Sequence, residues 1–218
     1  MIDSVNVIGA GRVGSAVSAR LSERGVELRE DAGLVLLCVP DSAIAEVAHG
    51  IEPGPWVAHV SGATRLAALD PHERRFSVHP LQTFTIRRGP EQLDGAFAAV
   101  TAETGEARAL GFELTLLLGL TPFELADDRR VLYHAGASIA SNFLVTLHRA
   151  ATRLLEQAGA PPEGLVPLMT RTIENDFELT GPISRGDWST VDAHLAAIRE
   201  AAPELEPMYR ALAEATRP

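Results

Sequence analysis

Apolar residues along the first 125 positions fall in short runs separated by polar and glycine-rich breaks, the pattern of buried strands alternating with helices. Val5, Val7 and Ile8 read as a strand, followed by Gly9-Ala10-Gly11-Arg12-Val13-Gly14 and a helix over 15–24 that Gly25 closes. The run at 34–39 is continuous, apolar and of strand length, and 42–49 reads as a helix with Asp41 or Ser42 as N-cap. Positions 56–60, 76–80, 95–101 and 120–125 predict further strands, with an amphipathic helix over 106–118. From Asp127 the pattern changes. Leu132, Ile139, Phe143, Leu147 and Leu154 recur at spacings of 7, 4, 4 and 7, one face of a long helix that Gly159 and Pro161-Pro162 stop. Helices over 163–179, 188–201 and 204–216 follow, with no strand signal after Leu125. The pattern therefore predicts an α/β domain with a parallel sheet at 1–126 and an all-helical domain at 127–218.

One stretch is too short for this plan. The segment 26–29 can form a strand, yet only Glu30, Asp31, Ala32 and Gly33 separate it from the strand at 34. A parallel crossover takes roughly a dozen residues, and at ~3.5 Å per residue such a link cannot return along a strand and cross the sheet. The second βα unit is thus expected to be missing or collapsed, with 26–29 an edge remnant or irregular.

The chemistry begins at the first turn. Gly9, Gly11 and Gly14 stand at G-x-G-x-x-G spacing between a strand and a helix, where a tight turn, close backbone approach to a pyrophosphate and close helix packing each need glycine. Free amides at the helix start would hold the phosphates. Arg12 and Val13 belong to the same turn. The missing unit normally supplies the adenosine side, with an acid for a ribose 2′-OH or a base for a 2′-phosphate. Arg29, Glu30 and Arg12 are the only local candidates. Val39-Pro40-Asp41 and Ser61-Gly62 end successive strands at the carboxyl edge of the sheet, where ligands bind in such folds, and are either cofactor contacts or ordinary turns and caps.

His79 also stands at a strand end, with Pro80 fixing the turn and Gln82 shortly after, so its imidazole can donate to a substrate, with Gln82 as a further contact. The alternative is a histidine that bonds only backbone. His134, Ser138 and Asn142, four apart on the long helix, form a polar stripe among the small residues Ala135, Gly136, Ala137, Ala140 and Ser141. That stripe is either catalytic or simply buried between helices. Arg185 can hold a substrate carboxylate or phosphate, or else pair with Asp187 and cap the next helix. No spacing among His49, His72, His148 and His194 suits a metal.

Composition narrows the partners. Of 218 residues 46% are hydrophobic and 22% charged, which suits a globular chain with a substantial core. A net charge of −10 argues against general nucleic-acid or anionic-membrane binding. Cys38, the single cysteine, lies inside an apolar run and reads as a buried thiol. The longest apolar stretches fall far short of the ~20 residues of a spanning helix. With no leader pattern at the start, a cytoplasmic protein is expected.

The segments G-A-G-R-V-G, L-V-L-L-C-V-P-D (34–41), H-V-S-G-A (59–63) and S-V-H-P-L-Q-T-F (77–84) resemble one family throughout the first half of the chain. The segments Y-H-A-G-A-S-I-A-S-N-F-L-V-T-L (133–147) and L-T-G-P-I-S-R-G-D (179–187) extend that resemblance through the second. It is the family of Rossmann-like NADP-dependent oxidoreductases with a C-terminal helical domain of unknown function, related to 6-phosphogluconate dehydrogenase, pyrroline-5-carboxylate reductase and prephenate dehydrogenase. The resemblance implies a two-domain fold, NADP ahead of NAD as cofactor, and a homodimer formed through the helical domain; the glycine turn with His79, Ser138 and Asn142 leads to the expectation of a small polar metabolite in the interdomain cleft. Related hydroxyacid dehydrogenases carry a lysine and an asparagine four apart on the corresponding helix; Ser138 stands at the lysine and Asn142 matches the asparagine. Proton transfer would then fall to His79, His134 or water. The shortened adenosine side leaves a second reading, a regulatory or ligand-binding dimer that has lost tight dinucleotide binding.

Overall fold

The computed structural model describes residues 1–217. Two compact units make up the chain, Met1–Ile139 and Ala140–Pro218. The sequence pattern places the change near residue 126. The first nine residues of the long helix stay with the first unit because Arg130 and Tyr133 are tied to residues of its sheet.

In the first unit, alternating apolar residues drive seven strands into one sheet buried on both faces. The elements run β1 (Ser4–Ile8), α1 (Arg12–Glu23), β2 (Glu27–Leu28), β3 (Leu34–Leu37), α2 (Ile44–His49) and β4 (Trp56–His59). There follow β5 (Arg75–Leu81), β6 (Phe97–Ala102), α3 (Gly105–Leu117), β7 (Thr121–Glu124) and α4 (Arg130–Ser138). Strand order is β2-β1-β3-β4-β5-β6-β7. One face places Val5, Leu34, Leu36, Phe76, Val78 and Ala98 against Val17 and Leu21 of α1 and Leu114 of α3. The other places Val35, Leu37 and Val57 against Ile44 and Ala48 of α2 and the turn residues Leu66 and Leu69. Each large apolar side chain so buried stabilises the fold by about 1.5–3 kcal/mol.

Two expectations about the sheet change. β1 to β5 are parallel, but β6 runs antiparallel to β5, from Phe76 opposite Ala102 to Leu81 opposite Phe97, and β7 is parallel to β6. Between β5 and β6 the chain has only a short 3-10 turn, Pro90–Leu93, and no crossover helix to carry it back, so it returns alongside its own strand.

The second change concerns the short link. The second helix is absent and its strand is reduced to two residues, as expected, yet the link does cross the sheet. β2 pairs with Ser4 and Val5 on one side of β1, and β3 pairs with Asn6 to Ile8 on the other. A two-residue strand ends at the level where β3 begins, so no return journey is needed. The crossing lies over the face of β1 that carries Asn6, whose Nδ2 donates to the Glu30 carbonyl at 3.2 Å.

The second unit holds α5 (Leu144–Gln157), α6 (Leu165–Glu174), α7 (Gly181–Ser184), α8 (Trp188–Ala201) and α9 (Glu206–Ala215). Val191, Leu195 and Ala213 form its core, with Ile183, Trp188 and Tyr209 packed around them. α6 stops short of the expected 179 because Asp176 and Phe177 adopt left-handed backbone (φ 52° and 58°). Among the described residues no helix is long and apolar enough to cross a membrane.

Candidate active site

The turn after β1 accounts for each glycine separately. Gly9 has φ 115°, and a Cβ there would lie 2.4 Å from the Cys38 carbonyl oxygen at the end of β3. A Cβ on Gly14 would fall 1.8 Å from the Gly9 carbonyl oxygen, so α1 seats on the turn only without a side chain. Gly11, at the N-cap of α1, has nothing within 4 Å of where a Cβ would stand and makes no side-chain cap. Two glycines are demanded by the fold. The third fronts open space at a helix start whose amides are free to meet an anion.

Arg12 is exposed beside this opening, without an ion-pair partner among the described residues, and Val13 packs into the core. The first turns of α1 also form one wall of a cavity of about 170 Å³, lined by Arg12, Ser15, Thr85, Arg88 and Pro90. Its opposite wall is shaped by Gln92, buried, which accepts from the Thr85 amide at 2.7 Å and donates to the carbonyls of Thr85, Arg88 and Gly89. Gln82, expected at the site, is exposed and turns its Oε1 to the Thr83 amide. Arg29, the candidate at the adenosine end, is occupied by Glu27 at 3.9 Å and Asp31 at 3.7 Å.

At the carboxyl edge, β4 and β5 bring His59 beside Ser77, and His79 lies one pleat further on. Nδ1 of His79 shares a hydrogen bond of 2.8 Å with the Tyr133 hydroxyl. The His134 ring stands edge-on to His79, centroids 5.9 Å apart. A Cβ on Gly62 would come within 2.8 Å of His79 Nε2 and 2.5 Å of the His134 ring. Gly62 is therefore the gap that lets the two rings approach the loop after β4. Burial first, then the charge of Arg130 and the neighbouring His134, holds the His79 pKa down at about 4, against a weak upward pull from Asp41. Burial raises the Tyr133 hydroxyl to about 12. At neutral pH the pair is an uncharged imidazole hydrogen-bonded to a protonated phenol, one proton held between two groups that can pass it on.

Ser61 is buried and closes its own loop, its Oγ receiving the amides of Ala63 and Thr64. Val39 and Pro40 lead out of β3, and Asp41 opens a 3-10 turn, Asp41–Ala43. Neither Asp41 nor Ser42 caps that turn or α2, a correction to the expected N-cap: the 3-10 turn moves the helix start to Ile44, out of reach. The Asp41 carboxylate stays exposed and acts on His79 through its charge alone.

The polar stripe is not uniform. His134 and Ser138 share α4, but Asn142 lies inside the π-helical turn that follows, Ile139–Phe143, which adds a residue to the helical repeat. Asn142 is exposed in the second unit. Arg185 is exposed there too, and Asp187 caps α8 through Thr190, with no ion pair to Arg185 within 4 Å. Cys38 is buried, and burial lifts its thiol to about 12, out of reach of chemistry. Among the described residues no group of acidic, cysteine or histidine side chains could hold a metal.

Sequence reasoning missed Tyr133, Arg130 and Gln92. Tyr133 and Arg130 had one usable signal. Arg130 stands three residues before Tyr133 and four before His134, so all three share a helix face with a named candidate.

Residues 96–216 match the family model described as Domain of unknown function (DUF2520). No protein of curated function matches the chain in sequence. Among solved structures, a candidate NADP oxidoreductase of Bacteroides fragilis superposes with a TM-score of 0.82 at 21% identity, covering 98% of this chain and 97% of the other. A reductive aminase of Aspergillus terreus in complex with NADPH and ethyl levulinate reaches 0.70 at 17% identity, over 98% and 93%. An NADH-preferring ketol-acid reductoisomerase from an uncultured archaeon reaches 0.67 at 15%, over 97% and 81%. The shared feature is the Rossmann-like α/β sheet followed by helices.

Proposed function

We propose, from the premise that the chain belongs to the DUF2520 family, that it is an NAD(P)-dependent oxidoreductase acting on a small polar metabolite. The observation that carries this reading is the glycine turn: Gly9 and Gly14 admit no Cβ, while Gly11 leaves open the space above the start of α1. Such a cradle fits a pyrophosphate. The nicotinamide, when bound, supplies or takes the hydride. This chain's part is then to hold phosphates on the amides of 11–14, the Ser15 amide being already bonded to the Gly11 carbonyl, and to place Val39, Pro40, Asp41, Ser61 and Gly62 along the nicotinamide half. His79 and Tyr133 hold the proton for the substrate's reacting oxygen or nitrogen, with His134 beside them. Ser138, on the same helix, is offered as a substrate contact.

NADP is favoured over NAD by the unpaired Arg12 next to the cradle, a guanidinium suited to a phosphate ester. The neighbours named for NADP and complexed with NADPH support the same choice. A homodimer is part of the proposal, supported by an apolar face of the second unit: α5 buries none of its residues, and Phe143, Leu147, Val166 and Leu168 are exposed.

Titration with NADPH and NADH, followed by nucleotide fluorescence, tests the reading. Both should bind, NADPH the tighter. Gly11→Ala should weaken binding by roughly tenfold or more, about 1.4 kcal/mol, with an unchanged melting temperature, since nothing near Gly11 resists a methyl group. Absence of binding by either nucleotide at millimolar concentration would overturn the oxidoreductase and leave the ligand-binding alternative.

A further inference from the structure

Arg130 is wholly buried and among the described residues forms no ion pair, the charges of Asp127 and Asp41 reaching it only from beyond that distance. Its three hydrogen bonds go to neutral oxygens. Nε donates to the Thr64 carbonyl at 2.6 Å, Nη1 to Thr101 Oγ1 at 2.7 Å, and Nη2 to the Ser61 carbonyl. Thr101 is fixed in turn by donating to the Leu125 carbonyl at 2.8 Å. One helical turn earlier, Asp127 Oδ1 accepts from the Leu66 amide at 2.9 Å. The start of α4 and the turn before it are thus fastened by three hydrogen bonds to the segment after β4 and by a fourth to β6.

A guanidinium buried without a counter-ion costs stability, and an apolar side chain of similar volume would avoid that cost. What the arrangement gains lies one turn further along the same helix face. There Tyr133 meets His79 Nδ1, and His134 closes against Gly62. The loop that Arg130 grips, 61–64, is the one that presents Gly62 to both histidines.

We propose that Arg130 is a positioning residue: it locks the first turn of α4 onto the loop after β4 so that Tyr133 stays bonded to His79 at the carboxyl edge of the sheet. The catalytic meaning of that bond rests on the oxidoreductase reading, but the lock does not. The charged and titratable groups around His79 are Arg130, Tyr133 and His134 from α4, His59 from β4, and Asp41 from the turn after β3.

The test needs neither cofactor nor substrate. Histidine ring ¹⁵N spectra of the full chain are recorded across pH for the wild type and for Arg130→Met, Thr101→Val, Tyr133→Phe and Arg129→Met. Tyr133→Phe assigns the signal of a His79 Nδ1 that has lost its partner. Arg130→Met should reproduce that signal and, by removing one of the charges that hold it down, raise the His79 midpoint above its value of about 4. Arg129→Met, altering an exposed neighbour, should match the wild type. If Arg130→Met does not fold, Thr101→Val carries the test, since it removes one of the three acceptors and keeps the charge. It should shift the Nδ1 signal part of the way. A folded Arg130→Met with the wild-type Nδ1 signal and midpoint, or an unshifted Thr101→Val, would overturn the proposal. Failure of nucleotide binding would leave these spectra untouched, so the two readings fail separately.

Discussion

Only the neutral imidazole of His59 suits its place in the middle of the sheet. The side chain is fully buried, its Nδ1 accepts the Ser61 amide at 3.2 Å, and neither its Nε2 nor the adjacent Ser77 Oγ has a partner among the described residues. Burial above all, then the charge of Arg130 and the neighbouring His79, lowers its pKa from 6.5 to about 3. The unfolded chain therefore binds a proton in a range where the folded chain does not. Acidification from about pH 6.5 towards 3 favours unfolding, by up to about 1.4 kcal/mol per pH unit from this one group, and above that window the effect vanishes. Urea denaturation across that range should show stability falling as pH falls, with a slope reduced by about one proton in His59→Asn. An equal slope in both proteins would mean that His59 takes up its proton in the folded state. Gly9, Gly14, His79 and His134 were legible in the sequence because spacing or a strand end marks them. His59 was not, since what distinguishes it is a neighbouring strand that only the sheet brings alongside.

At the scale of elements, periodicity located every strand of the sheet except the direction of the last two. Direction depends on whether a connection can carry the chain back across the sheet, and the stretch between β5 and β6 does not look different in sequence from a loop on either path. The link after β2 was misjudged for a related reason: the chain-length argument holds for a strand of ordinary length, and β2 spans two residues. Likewise, a 3.6-residue repeat cannot foresee the π turn at Ile139–Phe143 that sets Ser138 and Asn142 out of phase. The crossing over β1 leans on the exposed bond from Asn6 to Glu30. Asn6→Ala should cost no more than about 1 kcal/mol yet speed amide exchange at 29–33 while leaving β3 protected. Unchanged exchange there would show that the Arg29 amide bond to Val5 holds the link alone.

For the molecule as a whole, the apolar residues left bare on α5 and α6 set the expectation of self-association. Sedimentation velocity should give about twice the 23.3 kDa of one chain, and Leu168→Glu, altering a side chain that is 62% exposed, should return the monomer. A monomeric wild type at tens of micromolar would refute the dimer. The sheet itself bars the other common route to assembly. Its borders are β2, only Glu27 and Leu28 and followed by the charged Arg29, and β7, where Pro122 lacks an amide hydrogen to donate. Neither border offers a run of unpaired backbone on which a second strand could template, so copies of this chain cannot grow a continuous sheet. The shortness of β2 thus also guards a largely apolar sheet against edge-to-edge aggregation.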